Sequence, residues 1–384
     1  MKTESSTGAA EPSAPGDPRR LKVVLAHDFL RHGGADKVME HLHALWPEAP
    51  IHTLLAEDQP QYRGWDVRPS FLQGKVPPEK YRWPMPIYPW LVDRMARRID
   101  WDGVDLLVSS SVSYSKNLRT PPGVPHLSYV HRPAMFAYER RDDFLAGYPA
   151  PLRPALRFFA ARFRRWDQRR KDAADLLVAN SRFIASRIRE LYGREARVVY
   201  PPVETAPFRE AGLRAEPGDY YCTAVRLEGY KRVDLAVRAC TELGLPLKVA
   251  GTGPLREELE AVAGPTVEFL GFVPDEELHA LVAGCKAFLF TPKEDFGIAP
   301  VEALAAGRPV VALGQGGTAE TVQDGVTGVH FPEQTVEDVV AALRRCEETD
   351  WDPEVCRRSA ERFSADAFRA GILAAAAEAA ALRA

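Results

Sequence analysis

Short β-rich runs alternate with helical stretches along most of this chain, and no other feature constrains its fold as strongly. Such alternation is typical of parallel sheets covered by helices on both faces. A proline-containing segment, residues 201–207, divides the runs into two series. The sequence therefore predicts an α/β protein made of two consecutive doubly wound domains. We expect strands within residues 21–30, 51–56, 105–111, 125–131, 175–181 and 196–200, and then within 220–226, 247–251, 267–273, 287–292, 309–314 and 327–331.

The length of the chain supports this division, because 384 residues are too many for one ordinary core and sufficient for two. We expect a first domain at residues 21–203, a second at residues 204–362 and a final helix at residues 363–384 that packs back on the first domain. Residues 1–20 have the composition of a disordered tail and lack the apolar stretch of a signal peptide. The cleft between two such domains is the expected ligand site.

Composition argues against several classes of protein. The net charge of −3 gives no reason to expect a nucleic-acid partner. The five cysteines form no Cys-x-x-Cys pair, so we expect neither a disulfide framework nor a zinc site. No run approaches the ~18 apolar residues that a bilayer-spanning helix needs. These features together predict a cytoplasmic protein in a reducing environment.

Two acids stand eight positions apart in the segment EDFGIAPVEALAAGRPVV, residues 294–311. The preceding strand should end just before this segment, which places Glu294 and Gly297 on a loop and Pro300 in the first turn of a helix. Amides at a helix start beside a glycine can approach a phosphate closely. Glu302 can then reach a ribose, and Glu294 can reach hydroxyls beyond the diphosphate. The segment therefore predicts a nucleotide-sugar site.

A basic pair, Arg226 and Lys231, stands at the carboxyl end of another predicted strand, in AVRLEGYKR. Departure of a nucleoside diphosphate leaves negative charge on its terminal phosphate, and cations aimed there stabilise the transition state. Each charge-assisted contact contributes about 1.5–3 kcal/mol, whereas enzymes lower barriers by roughly 8–23 kcal/mol. The pair would therefore assist bond breakage without accounting for all of the catalysis.

Two glycine pairs precede predicted helices. Gly33 and Gly34 follow the first strand, where glycine lets the backbone approach a diphosphate closely. Gly316 and Gly317, followed by Glu320, fit either a phosphate contact or an ordinary turn between a strand and a helix.

The acids, the basic pair and the first glycine pair resemble those of retaining glycosyltransferases with the GT-B fold, specifically family GT4. The likeness extends over nearly the whole chain from Leu21, and includes HDFLRHGGADKVMEHL, VANSRFIASRIRELYGREARVVYPPV and AVRLEGYKRVDLAV. The sequence around Glu294 is most similar to the WbaZ-like mannosyltransferase branch. The resemblance implies an acceptor-binding first domain and a donor-binding second domain.

The resemblance also implies roles for individual residues. Catalysis would depend on His131, which corresponds to the family histidine that contacts the transferred sugar, and on Glu294, Arg226 and Lys231. The donor site would comprise Gly33, Gly34, Arg226, Lys231, Glu294, Phe296, Gly297, Ile298 and Glu302. The acceptor site would comprise His27, Asp28 and Lys116.

The implied donor is GDP-mannose, or next a UDP-sugar, and the implied acceptor is a saccharide or a lipid-linked or secondary-metabolite saccharide. No cofactor or metal is expected, because the two Asp-x-Asp sequences, residues 100–102 and 350–352, lie in helix-end or loop contexts. The resemblance implies no carboxylate placed opposite the leaving group, where it could form a covalent glycosyl-enzyme intermediate. We therefore expect same-face attack, with the acceptor proton passing to the departing phosphate. Val112 stands where the WbaZ-like branch has a histidine, and HRPAMF stands where that branch has HTPMRY. These differences leave the identity of the acceptor and of the sugar open.

Two other functions remain compatible with a GT-B fold. A nucleotide-sugar 2-epimerase would convert its donor without an acceptor, although the two acids and the basic pair favour a transferase. A catalytically inactive partner subunit would bind nucleotide without transferring sugar. A nicotinamide dehydrogenase has little support, since no predicted strand is followed by the dinucleotide fingerprint.

Basic residues mix with aromatic ones in two helical stretches of the first domain, residues 80–101 and 153–175. One interpretation is a pair of solvated helices whose aromatic side chains enter the core. The other is a surface that docks on anionic lipid headgroups, which would place the protein at the inner face of the plasma membrane. The sequence leaves both interpretations open.

Overall fold

The computed structural model describes residues 17–31, 33–77, 80–139, 144–145 and 148–382. Of the tail predicted at residues 1–20, residues 1–16 lie outside the described residues. The remainder includes a short 3-10 helix, Pro18–Arg20, and the Pro18 carbonyl accepts a hydrogen bond from Trp46 Nε1 at 3.0 Å. The described end of the predicted tail is therefore attached to the first domain.

The first sheet contains seven parallel strands among the described residues, in the order β3-β2-β1-β4-β5-β6-β7. Six of the strands lie where the sequence predicts them. The seventh, β3, was not predicted, because three residues ending in Pro69 carry too short a pattern. The strands are β1 (Val23–Leu30), β2 (Ile51–Ala56), β3 (Val67–Pro69), β4 (Leu106–Ser111), β5 (His126–Val130), β6 (Leu176–Ala179) and β7 (Arg197–Val198).

The second sheet contains six parallel strands in the described part of the chain, in the order β10-β9-β8-β11-β12-β13. They are β8 (Tyr221–Ala224), β9 (Leu247–Ala250), β10 (Val267–Gly271), β11 (Ala287–Phe290), β12 (Val310–Leu313) and β13 (Gly328–Phe331). In each sheet the chain order reverses beside the first strand, which opens a crevice at the carboxyl ends of the strands. The predicted α/β architecture of two doubly wound sheets is confirmed.

Helices cover both sheets. In the first domain they are α1 (Gly34–Leu45), α2 (Tyr88–Ala96), α3 (Arg153–Gln168) and α4 (Arg182–Tyr192). The remaining helices are α5 (Thr205–Arg214), α6 (Val233–Leu243), α7 (Arg256–Glu260), α8 (Asp275–Ala283), α9 (Ile298–Ala305), α10 (Thr318–Thr321), α11 (Val336–Glu347), α12 (Pro353–Ala360) and α13 (Ala365–Ala381).

The last helix, α13, packs into the core of the first domain. Ser364 caps its start by accepting a hydrogen bond from the Ala367 amide at 3.3 Å. Phe368 and Ile372 are fully buried in one cluster with β1, β4 and β5, and burial of each side chain contributes about 1.5–3 kcal/mol. A side chain at Gly371 would meet Val199 at 2.8 Å, so this glycine permits a close approach of the helix to the first sheet.

The two basic helices of the first domain differ in how they use their aromatic residues. In α3, Phe159 and Phe163 enter the core and Phe158 is 64% exposed. In α2, Tyr88 is buried, whereas Trp90 is 49% exposed. The core interpretation therefore describes most of the aromatic residues in α3, while α2 keeps an aromatic ring at the surface.

All five cysteines are buried and have free thiols. Burial raises the pKa of Cys240 and Cys285 to about 12, so neither is a reactive thiolate near neutral pH. In the described part of the chain, no helix has the length and hydropathy required to cross a bilayer.

Candidate active site

The loop after β11 leads into the start of α9, as the spacing of the two acids predicts. Gly297 adopts φ +86°, which favours glycine, and a Cβ there would lie 3.2 Å from Thr318 Cγ2. No side chain of the described residues caps α9, so the amides of its first turn are available for a ligand. This helix start, with its positive dipole end, is suited to bind a phosphate group.

The second glycine pair, Gly316 and Gly317, packs against this loop. The Gly317 amide donates to the Glu294 carbonyl at 2.8 Å. A Cβ at Gly316 would lie 2.5 Å from the same carbonyl, and one at Gly317 would lie 2.2 Å from Phe296 Cα. The pair therefore fixes the backbone of the Glu294 loop, which is the ordinary structural role among the two that the sequence left open.

Lys231 and Glu294 come together at the edge of the second domain. The Lys231 ammonium contacts the Glu294 carboxylate, and the two side chains keep 13% and 25% of their surface exposed. Thr291 Oγ1 donates to the Lys231 carbonyl at 3.0 Å and ties the Lys231 turn to the end of β11. Two of the predicted catalytic side chains are therefore in direct contact.

The other member of the basic pair lies apart from this contact. The Arg226 side chain is 72% exposed, and it pairs with Glu228 at 3.2 Å. Its guanidinium also donates to the Tyr230 hydroxyl at 3.4 Å. Its role as a catalytic cation stays a prediction, because this conformation does not bring it against Glu294.

The residue after Lys231 has an unusual backbone conformation. Arg232 has φ +51°, and no other residue except glycine has a positive φ in the described ranges. Its side chain bonds Asp234 at 3.0 and 3.1 Å, and it immediately precedes α6. Left-handed backbone at a non-glycine residue is disfavoured and is often found at functional sites. Here it turns the chain sharply between Lys231 and the helix.

Glu302 lies one turn into α9 and is partly buried. Burial raises the pKa of Glu302 to about 7, and the Lys37 ammonium on α1 opposes this rise. No protein hydrogen bond to the Glu302 carboxyl occurs among the described residues, so the group is available to a ligand. The Glu302 carboxyl group therefore titrates at a higher pH than an ordinary exposed glutamate.

The glycines at the start of α1 face the start of α9 from the first domain. Gly33 precedes α1 and has extended backbone, with φ −179°. A Cβ at Gly34 would lie 3.5 Å from Ile298 Cδ1. The two helix starts therefore meet across the cleft, and their dipoles favour an anion between them.

His131 lies just after β5 on the first domain. Its Nε2 atom shares a hydrogen bond with Ser110 Oγ at 2.8 Å, and its amide donates to the Ser111 carbonyl at 2.9 Å. Burial, with the charges of His27 and Arg132, lowers the pKa of His131 to about 3. The imidazole is therefore neutral at physiological pH and can bond a sugar hydroxyl without adding charge.

Arg132, the next residue, forms an ion pair across the domain boundary with Asp295. Burial raises the pKa of Asp295, and the Arg132 guanidinium opposes this rise. The pair joins the residue beside His131 to the residue beside Glu294. Sequence reasoning missed it, although both residues flank predicted catalytic groups.

The predicted acceptor residue His27 is 1% exposed and is surrounded by protein groups. Its Nδ1 atom lies 2.8 Å from the Ser110 carbonyl, and Nε2 lies 3.6 Å from Asp36. Burial lowers the pKa of His27, but the Asp36 and Asp28 carboxylates and the Ser110 carbonyl together raise it above its ordinary value. His27 therefore belongs to a buried layer beneath the cleft.

Asp28 and Lys116, the other two predicted acceptor residues, are both engaged by internal partners. Both oxygens of the fully buried Asp28 carboxylate accept backbone amides, from Val112, Ser113, Tyr114 and Ser115, at 2.5–3.0 Å. The Lys116 ammonium, 4% exposed, bonds Asp167 at 2.6 Å. Neither group is available to an acceptor, because each is saturated by internal partners. Asp28 instead holds the loop after β4, and Lys116 neutralises a buried carboxylate.

Two family models match the chain, one described as Glycosyltransferase Family 4 at residues 32–207 and one described as Glycosyl transferases group 1 at residues 205–363. The chain belongs to family GT4. The two models meet in the segment that joins the two sheets.

Curated relatives of this GT4 protein match part of it. The D-inositol 3-phosphate glycosyltransferase of Rhodococcus erythropolis is 32% identical over 200 residues, which cover 44% of this chain and 45% of that protein. The GDP-mannose-dependent alpha-(1-6)-phosphatidylinositol monomannoside mannosyltransferase of Mycolicibacterium smegmatis is 31% identical over 200 residues, covering 44% and 52%. The chain thus spans about half the length of these curated relatives.

A solved structure resembles nearly the whole GT4 chain. Anabaena HepE in complex with UDP superposes with a TM-score of 0.65 at 16% identity, over 92% of this chain and 98% of that chain. At this identity the likeness establishes the fold alone, which is the predicted GT-B fold.

A cavity of about 320 Å³ lies in the first domain of this GT4 protein, at the carboxyl ends of β1 and β2. Arg31 and Glu57 line it and bond each other at 2.8 Å, and the Arg31 guanidinium lies 4.2 Å from the Tyr81 ring centroid. Sequence reasoning missed these residues, whose only signal is their position just after two strands. Among the described residues, no group of three or more His, Cys, Asp or Glu side chains is arranged to hold a metal ion.

Proposed function

We propose that this GT4 protein is a retaining glycosyltransferase that moves a hexosyl group from a nucleoside diphosphate sugar to a saccharide or lipid-linked acceptor. One observation carries the proposal: Lys231 contacts Glu294 beside the uncapped start of α9. A diphosphate at that helix start would have a cation at its leaving phosphate and an acid within reach of the sugar hydroxyls.

We favour a mannosyl donor, GDP-mannose, with a UDP-sugar next. The M. smegmatis relative is named GDP-mannose-dependent, which supports the first donor. HepE was crystallised with UDP, which supports the second. Because these two proteins are named with different nucleotides, the two donors are tested side by side.

The acceptor would bind in the first domain. The cavity lined by Arg31, Glu57 and Tyr81 lies at the carboxyl edge of the same sheet as His131 and provides hydrogen-bond donors, acceptors and an aromatic ring. Such a mixture suits a saccharide, whose hydroxyls need both donors and acceptors. Relatives named for inositol phosphate and phosphatidylinositol mannoside acceptors support a polyol acceptor.

The reaction breaks the bond between the anomeric carbon and the phosphate oxygen, and its electron pair stays on the diphosphate. Lys231 and the α9 amides stabilise that charge, while Glu294 and the neutral His131 hold sugar hydroxyls. An acceptor hydroxyl then bonds to the anomeric carbon from the same face. Its proton passes to the departing phosphate oxygen, so no protein carboxylate becomes glycosylated.

The test is transfer from GDP-mannose and from UDP-glucose to a mixture of inositol phosphate and mannoside acceptors, with the product anomer read by NMR. We expect a retained anomer, and Glu294→Gln should reduce the rate by about 100-fold or more. Glu347→Gln is a matched control, because Glu347 contacts Lys286 on the same domain away from the cleft.

Three outcomes would contradict the proposal. An inverted product or an isolated glycosyl-enzyme adduct would exclude same-face attack. Conversion of the donor without acceptor would indicate an epimerase. Tight nucleotide binding without transfer, unchanged by Glu294→Gln, would indicate an inactive partner subunit.

A further inference from the structure

The chain passes between the two domains twice, and the two crossings lie side by side. The first crossing, residues 199–204, follows β7, and the second, residues 361–364, precedes α13. The Val203 amide in the first crossing donates to the Phe363 carbonyl in the second at 3.0 Å. Val203 also forms an isolated parallel bridge with Ser364. Because short segments between rigid elements absorb the rotation between domains, these paired crossings are the expected hinge.

Glu320, on α10 of the second domain, bonds the first domain beside these crossings. One oxygen of its carboxylate, Oε2, accepts the Arg182 amide at 2.8 Å, and the other, Oε1, accepts the Phe183 amide at 2.7 Å. Both amides belong to the first turn of α4. One carboxylate of the second domain therefore holds the start of a first-domain helix at two points.

The start of α4 needs acceptors from outside the helix, because the first amides of a helix have no intrahelical partner. The Ser181 hydroxyl oxygen accepts the Ile184 amide at 3.1 Å, which satisfies the third residue of the helix. The first two residues are bonded by Glu320, whose negative charge also complements the positive end of the helix dipole. The cap of α4 is therefore shared between the two domains.

Glu320 also contacts both crossings. The Tyr200 hydroxyl in the first crossing donates to Glu320 Oε2 at 3.1 Å, and the Arg362 guanidinium in the second donates to the Glu320 carbonyl at 2.6 Å. The Tyr200 ring lies 4.9 Å from the Phe363 ring and 5.8 Å from the Phe296 ring. A single residue is thus bonded to α4 and to both segments of the hinge.

This contact links the parts of the two domains that carry the predicted catalytic groups. Strand β6 leads into α4 and pairs with β5, and His131 follows β5 directly. On the opposite side, Gly317 lies just before Glu320 and donates to the Glu294 carbonyl at 2.8 Å. The position of α4 against α10 therefore sets the position of His131 relative to Glu294.

We propose that Glu320 is a positioning residue that fixes the angle between the two domains, so that His131 and Glu294 act on the same sugar. The kinetic part of this inference rests on the proposed sugar transfer. The Glu320 carboxylate already accepts three hydrogen bonds from the protein, so it acts through the two domains and not through the sugar. Lys231, Glu294 and the start of α9 all belong to the second domain, so these donor contacts persist when the angle changes.

The first measurement is the distance between the domains, read by pulsed electron paramagnetic resonance on the spin-labelled full chain without nucleotide. The labels are attached at Ala161→Cys and Ala341→Cys, which replace exposed alanines on α3 and α11, whereas all native cysteines are buried. We expect a narrow distribution of distances when Glu320 is present. Glu320→Gln should broaden it, because the amide nitrogen of glutamine cannot accept a backbone N–H.

The second measurement is sugar transfer with the donors and acceptors of the proposed function. Glu320→Gln should lower kcat by about tenfold, which corresponds to the loss of one charge-assisted hydrogen bond, while the KM of the donor hardly changes. Glu320→Asp keeps both carboxylate oxygens and should recover part of the loss. Tyr200→Phe removes one of the three donors and keeps the ring, so it should change both readouts in the same direction but by less.

Glu337→Gln is the matched control, because Glu337 is an exposed acid in the first turn of α11 in the same domain. Equal effects of Glu320→Gln and this control would overturn the proposal. A lower free energy of unfolding with the distance distribution and kcat of the wild type would also overturn it, since Glu320 would then be an ordinary helix cap. So would a raised donor KM with an unchanged distribution, which would make Glu320 a donor contact. Absence of transfer by the wild type would contradict the proposed function, and the distance distributions would still decide whether Glu320 fixes the angle.

Discussion

The two edges of the cleft are both lined by polar residues at strand ends, yet those residues serve different purposes. On the second-domain edge, Lys231 and Glu294 contact each other and keep part of their surface exposed to the cleft. On the first-domain edge, Asp28 and Lys116 are 0% and 4% exposed and bond only to the protein. One edge presents its charges to a ligand, and the other uses them to hold its loops.

The difference follows from the number of internal partners. The Asp28 carboxylate accepts four backbone amides, which leaves it little capacity for a further ligand. Among the described residues, Glu294 has one side-chain partner, and that partner is itself partly exposed. A charged residue at a strand end is therefore a candidate for catalysis only when its hydrogen-bonding capacity is not consumed internally.

The largest expected effect tests the first-domain edge. Lys116→Met leaves the buried Asp167 carboxylate without its cation, although Tyr138, Tyr192 and Asn117 still donate to it. We expect the free energy of unfolding to fall by about 3–5 kcal/mol, the usual cost of breaking a buried ion pair. Urea titration followed by circular dichroism measures the change.

Lys286→Met is the matched control, since its pair with Glu347 is about 40% exposed and should contribute about 1 kcal/mol or less. An unchanged unfolding energy in Lys116→Met, combined with a raised KM for the acceptor, would restore Lys116 as an acceptor contact. It would also remove the contrast between the two edges.

The sequence predicted the elements of this fold better than the partners within it. The strand runs and the spacing from Glu294 to Glu302 are local patterns, and the structure shows each of them as a strand or as a loop followed by a helix. The Lys116–Asp167 and Arg132–Asp295 pairs join residues far apart in the chain. Their partners are chosen by the packing of separate elements, and no local pattern records that choice.

The same limit explains the first-domain acceptor residues. An acid after a strand has the same local sequence whether it binds a sugar or accepts the amides of the next loop, as Asp28 does. The glycine turn at Gly316 was ambiguous for a similar reason, because its role depends on the Glu294 loop that packs on it. Glu320, which follows that turn, instead accepts the amides of Arg182 and Phe183 at the start of α4.

The second prediction removes the exposed charge from the other edge. Lys231→Met should reduce kcat by about 100- to 1000-fold, because the developing charge on the diphosphate loses a preorganised cation. The unfolding energy should change by less than in Lys116→Met, since Lys231 is partly exposed. Single-turnover kinetics with saturating donor measures the loss. An unchanged kcat would indicate that Arg226, and not Lys231, stabilises the charge on the departing diphosphate.

The third prediction uses the pH dependence of Glu302, whose pKa burial raises to about 7. An ionised Glu302 accepts ribose hydroxyls better than a protonated one, so nucleoside diphosphate affinity should fall as pH decreases below about 7. The fall approaches about tenfold per pH unit where only the ionised form binds. Calorimetry from pH 5 to pH 8 measures it.

Glu302→Gln separates this effect from titration of the nucleotide itself, which is common to both proteins. The stability of the wild type should respond in the opposite sense. A raised carboxyl pKa means that the folded state binds more protons than the unfolded state between the ordinary pKa and about 7, so stability decreases as pH rises through that window. Equal pH profiles for the two proteins would contradict the placement of Glu302 at the ribose.

The smallest expected effect concerns the ion pair that joins the two edges, Arg132 to Asp295. The Arg132 side chain is 35% exposed and Asp295 19% exposed, so the pair should contribute no more than about 1 kcal/mol. Asp295→Asn should therefore reduce kcat by about two- to fivefold, because Glu294 and His131 lose a constraint on their separation. Nucleotide affinity should hardly change, since the α9 start and Lys231 remain intact.

A charge swap distinguishes this positioning role from a direct contact with substrate. The double variant Arg132→Asp, Asp295→Arg restores the pair, and it should recover kcat relative to either single variant. A pair that serves only stability would shift the unfolding energy and leave kcat per folded molecule unchanged. If the swap recovers nothing while each single variant raises KM, one of the two side chains binds the substrate, and the two edges are joined only by the ligand between them.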